Sequence, residues 1–169
     1  MALLGRHASL PDDVRARLEL DHGERVLSSA PLQDGWAIAT TRHLHELPAD
    51  GATLRRPWVD VSTARLDPKT AVLTVTWVDA APPTDLRLAD DRSMEFPRVV
   101  RQCVDSSVVH SERLTLPSGA VVRVALRRAA GDALFTQVLG TGDVDLSDPA
   151  TAAAVDAAEA RVRDAAGLA

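Results

Sequence analysis

Cysteine, lysine and tyrosine are almost missing from this chain of 169 residues. It has a single cysteine, Cys103, a single lysine, Lys69, and no tyrosine. One cysteine excludes an internal disulfide, which is typical of proteins from a reducing compartment. No apolar run approaches the roughly 18 residues of a transmembrane helix. The apolar stretch Ala2–Leu4 is too short for the core of a signal peptide. We therefore expect a cytoplasmic protein without a membrane partner.

The balance of charge excludes a further class of partner. Arginine provides nearly all of the positive charge, yet the formal net charge is −5. Nucleic-acid-binding domains usually carry a basic excess, so we expect no nucleic-acid partner. The preference for arginine fits either the codon usage of a GC-rich genome or selection for bidentate anion binding by guanidinium groups. Apolar residues make up 46% of the chain, which is ordinary for a globular domain.

Short β-strands separated by turns are predicted over most of the chain. Glu24–Leu32 and Trp36–Leu44 flank an Asp-Gly turn signal and predict a hairpin, followed by a loop over Leu47–Thr53. Alternation of apolar and polar residues predicts further strands, about seven or eight in all. On the segment VVRVALRR, residues 121–128, it predicts one buried face and one half-exposed face that carries Arg123 and Arg127.

Three segments show helical patterns instead. A short helix is predicted within residues 9–20, with Ser9 as its cap, and apolar spacing predicts a second helix at 94–109. Ser147 or Asp148 is expected to cap a third helix, at 147–166. We expect one α+β, mainly β domain over residues 1–169. It divides into a helical lead-in (1–22), a strand-rich body (23–140) and the C-terminal helix.

The segment GERVLSSAPLQDGWAIATTRHLH, residues 23–45, resembles the opening of bacterial proteins with a pleckstrin-homology-like (PH-like) fold. Such domains often begin with a "GE.vL" strand, a turn and a "vaTdr.L" strand. The resemblance implies an antiparallel barrel or split sandwich of about seven strands with a capping C-terminal helix. The helix at 94–109 departs from this pattern as an insertion. No activity follows from the resemblance, and the acidic loop at 32–35, LQDG, argues against binding of lipid headgroups.

Two histidines are candidate metal ligands. His43 and His45 lie two residues apart, which on a strand places both imidazoles on one face, within reach of a common metal. The third ligand would be His22, His110 or an acidic residue elsewhere. The alternative is a solvated strand end with incidental histidines, and on this basis we expect no metal and no cofactor.

Cys103 is a candidate nucleophile only if His43 or His110 activates it. It lies on the apolar stripe of the predicted 94–109 helix, where a buried cysteine behaves as a small hydrophobic residue. No nucleotide-binding or catalytic motif is present, so we expect no catalytic residues and favour a binding protein over an enzyme.

Six residues form the candidate interaction surface. They are basic side chains on or near predicted strands, with one tryptophan in a predicted loop: Arg42, Arg55, Arg56, Trp58, Arg123 and Arg127. The alternative is that the arginines are solvated on exposed strand faces and the tryptophan is part of the core. The sequence therefore favours a binding or scaffolding module whose partner is a protein, a peptide or a second copy of the chain. The competing hypothesis is a small-ligand-binding protein or enzyme with a pocket between sheets near His43 and His45.

Overall fold

The structure is a computed structural model that describes residues 10–90, 93–140 and 144–168. Ser9 and the start of the predicted lead-in lie outside these ranges. The helices are α1 (Asp12–Arg17), α2 (Glu95–Ser107) and α3 (Pro149–Ala165). The strands are β1 (Val26–Leu32), β2 (Gly35–Thr40), β3 (His43–Pro48), β4 (Leu54–Pro57), β5 (Val61–Asp67), β6 (Val72–Trp77), β7 (Thr84–Arg87), β8 (Val108–Thr115), β9 (Val121–Arg128) and β10 (Leu134–Leu139).

The predicted class is confirmed, because strands account for 41% of the described residues and helices for 25%. The strand number was wrong, since the described residues form ten strands in three antiparallel sheets. None of these sheets closes into a barrel within the described ranges. Contacts divide the chain into two compact units, Met1–Val104 and Asp105–Ala169. That the whole chain is a single domain stays a prediction.

The first unit contains two of the sheets. One has the order β1-β2-β3-β4 and the other the order β5-β6-β7. The predicted hairpin of β1 and β2 is present, with Leu32 opposite Gly35 at the turn. An isolated antiparallel bridge between Leu32 and Leu88 links the end of β1 to the residue after β7.

The predicted strand Trp36–Leu44 is interrupted, which corrects the sequence analysis. The hydroxyl oxygen of Thr40 accepts hydrogen bonds from the backbone amides of Arg42 and His43, at 3.2 and 2.8 Å. These bonds reverse the chain, so β2 ends at Thr40 and β3 starts at His43. A threonine in a β-branched run favours a strand, but its side chain also stabilises turns in this way. The two histidines therefore lie on a separate strand that continues to Pro48.

The core of the first unit lies between its two sheets and α2. Leu44, Leu73 and Leu86 come from the strands, and Phe96 and Val100 from the helix. The helical spacing that predicted a helix at 94–109 is confirmed, because it places these apolar side chains on one face. A smaller cluster on β2 and β3 packs against α1 and contains Leu10, Val14, Ile38 and Leu47.

Trp58 is part of this core, and its indole nitrogen donates a hydrogen bond of 2.9 Å to the backbone oxygen of Thr40. Trp58→Phe is expected to lower the free energy of unfolding by about 1–3 kcal/mol, because it removes this buried hydrogen bond and leaves a small cavity in the core. Urea denaturation checks this, with Trp36→Phe as the matched control. Trp36 is only half-buried, so its replacement should cost less. Equal losses in the two variants would contradict the assigned role of Trp58.

The second unit is a three-stranded sheet, β10-β9-β8, packed against α3. Asp148 caps this helix by accepting hydrogen bonds from the backbone amide and hydroxyl of Thr151, at 2.9 and 2.7 Å. Val124 and Leu126 of β9 pack against Ala158 and Val162. The predicted helix at 147–166 is confirmed, and it packs on the sheet of its own unit.

No helix in the described ranges has both the length and the apolar character needed to cross a membrane.

Candidate metal centre

A tight turn positions the first residue of the site, Glu24, directly before β1. The backbone amide of Glu24 donates to the backbone oxygen of Asp21, and the amide of Asp21 donates to Glu24 Oε2, both at 2.9 Å. Gly23, inside this turn, has a φ of 77°, a left-handed conformation that glycine adopts without strain. One bond therefore fixes the backbone of Glu24 and the other its carboxylate, and the side chain is fully buried.

β3 supplies the other two side chains, His43 and His45. Alternate residues of a strand share a face, and the two imidazole rings lie edge to face with centroids 5.8 Å apart. The same-face prediction is therefore confirmed. The alternative of a solvated strand end is wrong for His45, whose side chain is 2% exposed, whereas His43 is 14% exposed.

The three side chains converge on one point. Glu24 Oε1 is 2.7 Å from His43 Nδ1 and 3.7 Å from His45 Nε2. One potential ligand atom from each residue lies within 4.8 Å of the other two. Within the described part of the chain, this is the only group of three or more histidine, cysteine or acidic residues with metal-binding proximity.

Hydrogen bonds hold Glu24 in its ionised form. Burial alone would raise its pKa, but the hydroxyl of Thr40, the backbone amide of Asp21 and the His43 ring all donate to the carboxylate. Together they lower its pKa from 4.5 to about 2. The site therefore carries a buried negative charge at neutral pH.

His45 responds in the opposite way. Burial lowers its pKa below the ordinary value of 6.5, although the nearby charge of Glu24 acts to raise it. The imidazole is accordingly neutral at neutral pH. Its Nε2 atom is buried and has no hydrogen-bond partner among the described residues. A neutral imidazole nitrogen beside a carboxylate is a typical ligand pair for a transition metal.

The remaining candidates from the sequence lie elsewhere. His22 is exposed beside the Glu24 turn, and His110 is exposed on β8 in the second unit, so neither belongs to this cluster. Cys103 packs against the core of the first unit, and burial raises the pKa of its thiol to about 11. A thiol that stays protonated at neutral pH is a poor nucleophile.

Arg42 and Arg55, from the candidate interaction surface, lie at the rim of the cluster of Glu24, His43 and His45. Arg55 Nη2 is 2.7 Å from Asp21 Oδ1 and 3.5 Å from Glu24 Oε2. Arg42 Nη1 is 4.0 Å from Asp21 Oδ2. Both arginine side chains are about one-third exposed, and thus accessible to a partner.

Arg56 and Trp58 have structural contacts instead. Arg56 pairs with Asp60 at 3.0 Å and Asp79 at 2.8 Å, and its guanidinium lies 4.4 Å from the centre of the Trp77 ring. Trp58 is buried in the core described above, so its assignment to an exposed surface was wrong. A loop position with three polar or proline neighbours suggested exposure, but the indole completes the core.

The two remaining residues of that surface, Arg123 and Arg127, belong to the second unit. Arg123 is half-buried, whereas Arg127 is completely buried. The predicted half-exposed face of β9 is therefore wrong at Arg127, which lies on the central strand, opposite Val108 of β8 and Phe135 of β10.

Glu24 was missed as a named ligand, although an acidic residue was among the alternatives for the third position. The hairpin contained the signal. Val26 lies opposite Thr40 in the β1–β2 register, so the residue two positions before Val26 falls beside the start of β3.

Comparisons with known proteins add no relative, because no protein-family model, curated protein or solved structure matches this chain.

Proposed function

We propose that the chain is a binding module whose first unit holds a divalent transition-metal ion, with zinc preferred, at Glu24, His43 and His45. The observation that carries this proposal is the His45 Nε2 atom, which is buried without a hydrogen-bond partner among the described residues and lies 3.7 Å from a carboxylate oxygen. A buried polar atom without a partner costs about 1–3 kcal/mol. A metal ion would remove that cost by accepting the lone pair.

The donor set favours zinc. Two imidazoles and one carboxylate are borderline ligands that suit Zn²⁺ better than Mg²⁺ or Ca²⁺, which prefer oxygen. Bonds of about 2.0 Å in a tetrahedral site place ligand atoms about 3.3 Å apart. The observed 3.7 Å between Glu24 Oε1 and His45 Nε2 is close to this spacing, and the 2.7 Å contact with His43 needs to lengthen by a fraction of an ångström.

Metal binding at this site would break the hydrogen bond between His43 and Glu24. His43 Nδ1 and Glu24 Oε1 share a hydrogen bond at 2.7 Å, and an ion can occupy that position only when Nδ1 carries no hydrogen. A neutral imidazole can carry its one hydrogen on Nε2 instead, so binding requires that tautomer of His43.

The fold of the first unit supports the PH-like resemblance as part of the proposal. Its seven strands, β1–β7, are followed by α2, and Phe96, Val100 and Val104 of this helix join the core that both sheets share. In this account α2 takes the position of the capping helix, rather than being an insertion. The second unit is then the addition to the pattern.

A protein-interaction role is the second candidate. Leu20, Val26 and Leu27 are large apolar residues, each about 40% exposed, within a short stretch that leads into β1. β1 lies at one edge of its sheet, and its end at Leu32 is bridged to Leu88, so the end at Val26 is the part of the edge that could accept a strand from a partner. These features support the hypothesis of a protein or peptide partner without requiring the metal.

Calorimetric titration of the metal-free full chain with zinc tests the main proposal. We expect one ion to bind per chain, and zinc at about 100 times its dissociation constant to stabilise the fold by about 2.7 kcal/mol. His45→Phe should abolish binding. It replaces an unpartnered ring nitrogen by carbon, so the metal-free variant should remain within about 1 kcal/mol of the parent stability.

The matched control is His22→Ala, which removes an exposed histidine near the same turn. It should bind zinc as the parent does. Zinc binding that is unchanged by His45→Phe, or lost in His22→Ala, would assign the ion to another place and overturn the proposal.

A further inference from the structure

The proposed metal centre has fewer protein ligands than a zinc ion accepts. Three side chains converge on it in the described structure, and tetrahedral zinc with three protein ligands keeps a fourth position for water or another molecule. His43 is more exposed than His45, so solvent reaches the site from the His43 side. The inference below rests on the proposed function, because it uses the open position of the metal.

Two guanidinium groups are found at the exposed rim of the site. Arg42 and Arg55 both contact Asp21, and one carboxylate oxygen of Asp21 faces each arginine, at 4.0 and 2.7 Å. Arg55 also reaches the buried Glu24, at 3.5 Å. The guanidinium of Arg55 thus connects the exposed rim to the carboxylate that would bind the metal.

The charges around this rim favour an anion. Two arginines and a divalent ion together outweigh the two carboxylates of Asp21 and Glu24, in a chain whose net charge is negative. Arginine binds planar carboxylates well, because its donors match two oxygens at once. Asp21 already presents such a two-oxygen group between the two arginines, and its side chain is 46% exposed.

We infer that Arg42 and Arg55 form a clamp for the carboxylate of a small ligand, and that Asp21 occupies this clamp when the ligand is absent. The ligand carboxylate bridges the arginines and the open position of the metal. Asp21 lies in a turn before the first strand, so its side chain can leave the arginines without disturbing a sheet. The contacts it gives up are partly exposed ion pairs, which contribute little to stability.

The test uses the zinc-loaded full chain and N-acetylglycine as the carboxylate probe, with N-acetylglycinamide as its uncharged counterpart. Amide chemical shifts are followed during each titration. The acid should cause saturable shifts near Asp21, Arg42 and Arg55, and the amide should not. Asp21→Asn should tighten binding of the acid by roughly twofold to fivefold, the equivalent of one exposed ion pair.

Two variants complete this experiment. Arg42→Gln should weaken the acid and leaves the contact between Arg55 and Glu24 in place. Asp50→Asn is the matched control, because Asp50 is an exposed acid beyond the far end of β3. It should leave the affinity unchanged. Equal shifts from acid and amide, or weaker binding in Asp21→Asn, would overturn the clamp.

The controls separate this inference from the metal site itself. Zinc occupancy is measured first on the same sample, so a failure to load zinc contradicts the proposed function. Loaded protein that ignores the acid contradicts only the clamp. A third titration uses inorganic phosphate, and tighter binding of phosphate than of the acid would overturn the assignment to carboxylates.

Discussion

Glu24→Gln is expected to lower the free energy of unfolding by about 3 kcal/mol, the largest effect of a single substitution in this account. The carboxylate is fully buried and accepts hydrogen bonds from the Thr40 hydroxyl, the Asp21 amide and the His43 ring. A glutamine side chain has one acceptor oxygen and turns an NH₂ group towards donors that need an acceptor. It also leaves Arg55 without its contact to a buried negative charge.

Urea denaturation of the metal-free protein measures this loss. Glu19→Gln is the matched control, because it makes the same chemical change at an exposed residue close to the same turn. Its stability should stay within about 0.5 kcal/mol of the parent. If the two variants have the same denaturation midpoint, the hydrogen bonds of Glu24 do not stabilise the fold.

Acid is expected to destabilise the protein in two steps. Burial lowers the pKa of His45 from 6.5, so below pH 6.5 the unfolded chain takes up a proton that the folded chain resists. Hydrogen bonds overcome the effect of burial at Glu24 and lower its pKa from 4.5 to about 2. The stabilisation from ionised Glu24 is therefore complete above pH 4.5 and is lost as the pH falls towards 2. Both groups act in the same direction, and Glu24 alone accounts for about 3 kcal/mol.

The measurement is the free energy of unfolding at a series of pH values, for the parent and for Glu24→Gln. The difference between the two should shrink below pH 4.5, because only the parent still loses stability through this group. Between pH 6.5 and 4.5 the free energy of unfolding of the variant should fall with pH at least as steeply as that of the parent. Glu24 raises the pKa of His45 against the larger effect of burial, so its removal leaves burial unopposed. A constant difference in unfolding free energy between parent and variant at every pH would show that Glu24 has the same pKa in the folded and the unfolded protein.

Local patterns were sufficient to predict much of the fold. The Asp-Gly turn marked the β1–β2 hairpin, and the apolar spacing of Phe96, Val100 and Val104 marked α2. Ser147 or Asp148 as a cap, shortly before Pro149, marked α3. Each of these signals depends on neighbours within a few residues, which is why a single sequence reveals them. The turn at Thr41 and Arg42 was missed, because the residues around it also fit a strand pattern. The hydrogen bonds to the Thr40 hydroxyl that favour the turn are not visible in that pattern.

The site was predictable only in part. The two-residue spacing of His43 and His45 placed both on one face, since that relation belongs to any strand. Their burial and the approach of Glu24 depend on the register of a hairpin and on α1 covering β2 and β3 from one side. The predicted exposure of Arg127 and Trp58 was wrong for the same reason, because burial of a polar or loop residue depends on segments distant in sequence. Exposure is therefore the property that these local patterns predicted least well.

The most direct test of the metal centre is a crystal of the full chain grown with zinc and measured on both sides of the zinc absorption edge. We expect an anomalous peak about 2.0–2.2 Å from Glu24 Oε1, His43 Nδ1 and His45 Nε2. A peak held by other residues, or an unchanged hydrogen bond between Glu24 and His43 with no peak beside it, would contradict the claim that these three residues bind a metal.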